Sequence, residues 1–300
     1  MQSNYSVRAW VILIILSLIW GTSFFMIKKA LTVFSPYQLA SVRVLMVAIL
    51  FSTFMFWFWN KITRQDYKNL FFAGFLGIVL SSILFPIAQQ GVNSSITSVL
   101  NATYPIFVAV LGILFFNQRL NKFQIIGLLL GFMSVSILIM FNAQGELKWN
   151  FLAIFALLAV GCNALYALWV KYHLKHIEPF ILTTAASSLM LPFGLLGLLL
   201  TDTYSTIQTH EKGYEGLLYI TYLAVFATAL GTWLYNYLLS ISTTIFAGLV
   251  TYLIPIVSIA WGISDGETIT FSQMLAILGV LAGIYLLSKP VKEKQKILVK

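Results

Sequence analysis

Apolar residues run along this chain in long blocks, not in the spaced stripes of a soluble amphipathic helix. Ten blocks stand out, at 10–27, 36–59, 70–89, 95–116, 123–141, 150–170, 179–200, 216–239, 244–263 and 271–288. Each holds about 18–24 residues, and ~20 helical residues cross the ~30 Å hydrocarbon layer of a bilayer. The pattern predicts ten transmembrane helices, because a backbone in lipid must satisfy its own hydrogen bonds. A barrel would show short alternating strands instead. Ten spans take up most of the 300 residues and leave no room for a folded soluble domain. The connections at 91–94 and 240–243 are short enough to force helical hairpins. The longest, 201–215, holds Asp202, His210, Glu211, Lys212 and Glu215 and is predicted to be a solvated loop.

Composition agrees with this pattern. The chain is 60% hydrophobic and 9% charged, with a mean hydropathy of +0.91, whereas soluble domains carry about 25% charge. The net charge of +9 is not a nucleic-acid signature, since the basic residues sit between spans and not on one solvated face. With the N-terminus inside, the inner segments hold Arg8, Lys61, Arg64, Lys68, Arg119, Lys122, Lys171, Lys175, Lys289, Lys292, Lys294, Lys296 and Lys300. The outer loops hold Lys28, Lys29, Lys148 and Lys212, and Arg43 lies within a span, which accounts for all 18 Lys and Arg. The positive-inside bias places both termini in the cytoplasm. The first span is long, carries Trp10 and Trp20, and ends at Lys28 and Lys29 without a small-residue cleavage pattern, so it reads as a retained helix. One cysteine, Cys162, allows no disulfide within the chain, and the three histidines lie near or outside span ends.

An internal repeat is visible. A shift of 143 lays Pro36 on Pro179 and Lys28 on Lys171; 150 lays Pro105 on Pro255; 149 lays Gln124 on Gln273 and Gln118 on Glu267. Chance placement of prolines in two apolar halves is the competing explanation, but the matches keep their order along five successive spans. Halves with an odd number of spans must cross the membrane in opposite senses, as in the inverted repeats of secondary transporters. The expected organisation is an all-α membrane protein of ten helices, with one five-helix repeat in 1–147 and a second in 148–300 that ends in a short basic tail.

The segment Ser17-Leu18-Ile19-Trp20-Gly21-Thr22-Ser23-Phe24, followed by Pro36 and by Arg43 in the second span, resembles the EamA family of the drug/metabolite transporter superfamily. Pro105 and Pro255, each followed by Gln or Glu near the next loop, fit the same family. So does Gly266-Glu267 with Thr270 and Gln273. The first half departs from the pattern, with Asn117-Gln118 where Gly-Glu is usual. The resemblance covers essentially the whole chain. It implies a ten-helix transporter of small metabolites, often an exporter, with both ends in the cytoplasm of a bacterial inner membrane.

Candidate site residues are polar ones at membrane depth, where an unpartnered group is costly. Thr97, Asn101 and Tyr104 share a helix face; so do Asn163 and Tyr166, and Thr228, Thr232, Tyr235 and Asn236. Ser82 and Gln89 flank Pro86, and Gly248 and Tyr252 precede Pro255. Trp20 lies too deep for an interfacial belt, unlike Trp57 and Trp59 at a helix end. Converging, these faces would make a cavity whose substrate-binding wall comprises Trp20, Gln89, Asn101, Tyr104, Asn163, Tyr166, Asn236 and Tyr252. Each has a plainer explanation in helix packing or backbone hydrogen bonding.

Arg43 is the obligate charge well inside a span. It would contact a substrate anion, or cap carbonyls and snorkel outward. The second reading is favoured, since its counterpart in the other half is Ala186. Gly127/Gly131 and Gly279/Gly283 allow close helix packing, within one chain or across a homodimer. No Asp or Glu lies deep in a span, so proton coupling cannot be read from the sequence. There is no phosphate loop, no metal-ligand spacing and no catalytic constellation. The expectation is a non-enzymatic secondary transporter without a cofactor. It would export an amino-acid-like metabolite by alternating access, with the bilayer and that small molecule as its partners and no nucleic acid. The competing classes are a membrane-embedded assembly protein and an intramembrane enzyme.

Overall fold

A computed structural model describes residues 6–116, 122–140, 150–242 and 244–287. The described residues are 85% helix, and no strand occurs among them. We label the helices α1 (Val7–Ala30), α2 (Pro36–Lys61), α3 (Asp66–Gln89), α4 (Ser94–Phe115), α5 (Lys122–Met140), α6 (Ala153–His173), α7 (Pro179–Leu199), α8 (Gly213–Ile241), α9 (Phe246–Ser264) and α10 (Phe271–Leu287). Among the described residues, eight of these are long and apolar enough to cross a membrane. The described apolar stretches of α5 and α10, Lys122–Ile137 and Phe271–Gly283, are shorter. Asn117, Gln118, Arg119, Lys148 and the basic tail lie outside the described residues.

Local sequence sets the helix ends. Ser35 and Gln38 form a capping box at the start of α2, with Pro36 in the first turn, where its missing amide costs nothing. Thr270 and Gln273 do the same for α10, so two residues of the family-like motif act as a helix cap. Lys28 and Lys29 extend α1 beyond the expected end at Ile27 and lie in its last turn, where positive charge opposes the helix dipole. The connection 201–215 is not a plain loop. It contains a short helix, Thr203–Thr209, held to α2 by Gln38 Nε2 donating to Thr206 Oγ1 at 2.9 Å.

Several helices are interrupted inside the bundle. π-Helical segments lie at Phe75–Leu80 in α3 and Leu223–Leu230 in α8. Helix α4 breaks at Ala102–Thr103 just before Pro105, and α7 at Leu189–Met190 before Pro192. A proline donates no amide hydrogen bond, so a break preceding it leaves fewer groups unsatisfied.

Packing pairs the two halves. Helix α1 lies against α8, α9 and α4; α6 lies against α3 and α4; α2 packs on α7, and α5 on α10. The main core, with Leu13, Leu16, Leu100, Ile220, Leu223 and Ile254 fully buried, fills the space between them. Ile14, Phe56, Leu129, Phe132, Leu158, Leu196 and Leu278 point outward, an apolar surface suited to lipid. Trp57 and Trp59 are exposed at the end of α2. The paired glycines are used within the chain: a Cβ on Gly283 would stand 2.7 Å from the Gly127 carbonyl oxygen and the Gly131 nitrogen. Helices α5 and α10 therefore meet backbone to backbone.

Candidate functional site

A central cavity of about 120 Å³ lies where the interrupted helices cross. Helix α1 contributes Trp20, Ser23, Phe24 and Ile27; α2 contributes Arg43; α3 contributes Gly77, Ser81 and Phe85. Helix α4 adds Asn101 and Tyr104, and α6 adds Asn163 and Tyr166. Helix α8 adds Ala227, Thr228, Thr232 and Tyr235, and α9 adds Thr251 and Ile254.

The wall is built from hydrogen bonds between helices. The Gly231 amide reaches back five residues to Phe226, so it does not bond the Ala227 carbonyl; Trp20 Nε1 donates to that oxygen at 2.8 Å. The π-helical segment thus supplies the acceptor that holds Trp20 across from α8. Gly231 is required at this crossing, because a Cβ there would stand 2.6 Å from Trp20 Nε1. The same device recurs at Gly77, where a Cβ would stand 2.9 Å from the Tyr166 ring. Tyr104 and Tyr235 share a hydroxyl–hydroxyl bond of 2.8 Å, and the Trp20 and Tyr235 ring centroids are 5.3 Å apart. Ser81 donates to Asn163 Oδ1 at 2.5 Å, and Tyr166 donates to Asn236 Oδ1 at 2.9 Å. Toward the Lys28 end, Phe24 and Phe85 meet edge to face at 5.4 Å.

Arg43 does not snorkel outward. It lines the cavity, and its Nε donates to Thr228 Oγ1 at 2.7 Å, while Thr228 donates its own proton to the Leu223 carbonyl at 2.9 Å. No carboxylate pairs with Arg43 among the described residues.

Of the eight residues of the expected binding wall and Arg43, six are brought together here: Trp20, Arg43, Asn101, Tyr104, Asn163 and Tyr166. Three are not. Asn236 is buried behind Tyr166, and its Nδ2 donates to Thr183 Oγ1 at 3.0 Å. Gln89 ends α3 with both side-chain polar atoms buried and without a hydrogen-bond partner among the described residues, away from the cavity. Tyr252 lies beside the lining residue Thr251 but not in the wall. Gly77, Ser81 and Phe85 were missed, although their spacing of four marks one helix face. Ala227 could not be found from its side chain, because its contribution is a carbonyl freed by a shift of helical register.

Charges gather beyond the cavity, at the Lys28 end. Glu267 sits over the first turn of α4. Its Oε1 accepts from Ser94 N at 3.1 Å and Oγ at 2.7 Å; its Oε2 accepts from Ser95 N at 3.1 Å and Oγ at 2.6 Å. Lys28 Nζ lies 3.0 Å from Glu267 and 2.7 Å from Asp265, and Lys29 also pairs with Asp265. Burial pushes the Glu267 carboxyl up, but the Ser95, Ser94 and Lys28 hydrogen bonds outweigh it and hold it below its ordinary value. Hydrogen bonds from Lys28 and Lys29 hold Asp265 low as well. Gly266, at φ +81°, makes the left-handed turn that presents Glu267. At the opposite end Asp66 accepts from Thr63 and from His176 Nε2 at 3.0 Å.

An all-helical membrane protein whose crossing helices surround a largely apolar cavity with inset polar groups has the architecture of a small-molecule carrier. The sequence places it further: residues 8–140 and again 150–289 match the EamA-like transporter family, and the chain belongs to that family. An uncharacterized transporter of Archaeoglobus fulgidus is 25% identical, over 93% of this chain and 98% of that protein. A probable amino-acid metabolite efflux pump of Salmonella typhimurium is 26% identical, over 89% of this chain and 90% of its own. The uncharacterized inner membrane transporter YedA of Escherichia coli is 27% identical, over 89% and 85%. One solved crystal structure aligns over 93% of this chain and 95% of its own, with a TM-score of 0.63 at 10% identity, a likeness of fold alone.

Proposed function

We propose that the chain is a ten-span exporter of small amino-acid-like metabolites, built from inverted repeats 1–147 and 148–300 and working by alternating access, not an enzyme. The observation that carries this reading is the central cavity: helices from both halves line it, and its walls are amides, hydroxyls and aromatic rings. The helix pairings are those a twofold exchange of halves would produce. Helix α1 on α9 answers α6 on α4, α1 on α8 answers α6 on α3, and α2 on α7 and α5 on α10 each pair an element with its counterpart. The π-helical segments fall in the counterparts α3 and α8, and the family matches the two halves separately.

The 13-to-4 distribution of basic residues supports cytoplasmic termini in an inner membrane. The efflux-pump relative favours amino-acid metabolites and outward transport. A dianionic sugar phosphate would need more cations than Arg43, and an isolated buried charge is strongly disfavoured. Purified protein in liposomes is the test, with labelled amino acids and a sugar phosphate as cargoes. Saturable amino-acid flux that falls in Asn101→Ala and Asn163→Ala is expected. Sugar-phosphate exchange, or full activity in both variants, would contradict the cavity assignment. Absence of flux for every cargo would favour a structural role.

A further inference from the structure

Most polar groups in the cavity wall already have partners. Trp20 Nε1, Ser81, Tyr104, Tyr166 and Tyr235 are all hydrogen-bonded to other groups of the protein. Arg43 is different. Its Nε is held by Thr228, a neutral group. A guanidinium carries five N–H donors, and those on the terminal nitrogens have no partner among the described residues. The ion pairs among the described residues lie at the two ends of the bundle, on Asp265, Glu267 and Asp66. The cavity therefore holds one fixed positive charge, oriented at Nε and unfilled at its fork.

We infer that Arg43 is the carboxylate-binding residue of this cavity and that the ligand is a small monocarboxylate whose apolar part rests on the Trp20 and Tyr235 rings. This deepens the transport reading and rests on it. A planar fork matches a carboxylate with two parallel charge-assisted hydrogen bonds, which a point charge cannot do. One cation selects one anion: a second negative charge would find no partner here. A ligand whose only charge is positive would meet Arg43 as a like charge. A free amino acid and its 2-oxo acid share the required group, and the test separates them.

Purified full-length protein is titrated with leucine, phenylalanine, valine and methionine, with their 2-oxo acids, and with their amides. Ligand-induced thermal stabilisation is the readout, beside flux in liposomes. At least one acid should stabilise the protein, with its amide weaker by about ten- to a hundredfold. Arg43→Gln should lose the same factor, and Arg43→Lys part of it. The acid–amide comparison needs no variant and stands even if Arg43→Gln fails to fold. Preference for the amino acid over its 2-oxo acid, or the reverse, identifies the source of the carboxylate. Equal binding of acid and amide, binding that survives Arg43→Gln, or no stabilisation by any acid would each overturn the assignment. Acid-selective binding without flux would remove the transport reading and leave this one intact.

Discussion

Two clusters of charge sit in this bundle, and they are built in opposite ways. At the Lys28 end, in what we call the latch, Lys28 and Lys29 face Asp265 and Glu267, and the Glu267 oxygens also take two amides and two hydroxyls from the first turn of α4. In the cavity Arg43 faces only Thr228 among the described residues. The latch spends its charges on one another and on a helix end, and it ties α1, α4 and the α9–α10 connection together. The cavity leaves its charge uncompensated. A half-buried charge that lines a cavity and has only a neutral hydroxyl as its partner is more readily explained as a site for an anion than as a structural contact.

The largest effect should come from breaking the latch. Glu267→Ala leaves two amides and two hydroxyls without their acceptor at a carboxylate only 4% exposed, while Lys28 keeps Asp265. Leaving a buried donor unsatisfied costs about 1–3 kcal/mol, and several are left here, so a clear fall in the thermal midpoint of the purified protein is expected. Acid should do the same more gradually. Asp265 and Glu267 both titrate below their ordinary values in the folded protein. Their contribution is complete above the usual carboxylate range of about 4 and is lost as pH falls through the lowered values. Midpoints measured from neutral to acid pH should hold level to about pH 5, decline below about pH 4, and decline less in Glu267→Gln.

Smaller effects lie in the cavity wall. Gly231→Ala pushes a methyl against Trp20 and strains its bond to Ala227. Overpacking of this kind costs about 1–3 kcal/mol, set against a helix-propensity gain of about 1 kcal/mol. A midpoint above that of the parent protein would show that Trp20 is not held as described. The smallest change is expected at Arg43, and its sign sharpens the contrast with the latch. Arg43→Gln gives up one hydrogen bond but removes an uncompensated charge, so stability without ligand should stay within about 1 kcal/mol of the parent or rise. A loss as large as that of Glu267→Ala would reveal a hidden partner and make Arg43 structural.

The helical class, the apolar blocks and most helix positions are legible in the sequence, because lipid leaves the backbone few alternatives. Helix starts shift where local polar contacts set them: Ser6 caps α1, and Asp66 in the first turn of α3 accepts from Thr63. The site was readable where helical spacing aligned polar side chains, as with Asn101 and Tyr104 on α4 and Asn163 and Tyr166 on α6. It was not readable where polar residues satisfy one another across helices: Asn236 has the composition of a binding residue and is a buried brace for Tyr166. Nor was it readable at Ala227 and Gly77, which act through a freed carbonyl and an absent Cβ. For Arg43 the mismatch with Ala186 weighed toward snorkelling or capping, and spacing alone could not show that its side chain turns into the cavity.

The measurement that bears most directly on the central account uses two single cysteines in a Cys162→Ser background, Ile27→Cys toward the latch and Thr251→Cys toward the opposite end. Both positions line the cavity. Their rates of reaction with a membrane-impermeant thiol reagent are followed in liposomes as a transported carboxylate is added. Alternating access predicts reciprocal change, one site closing as the other opens. Both sites reactive together would make the cavity a channel, and rates indifferent to every carboxylate would contradict its role as the transport site.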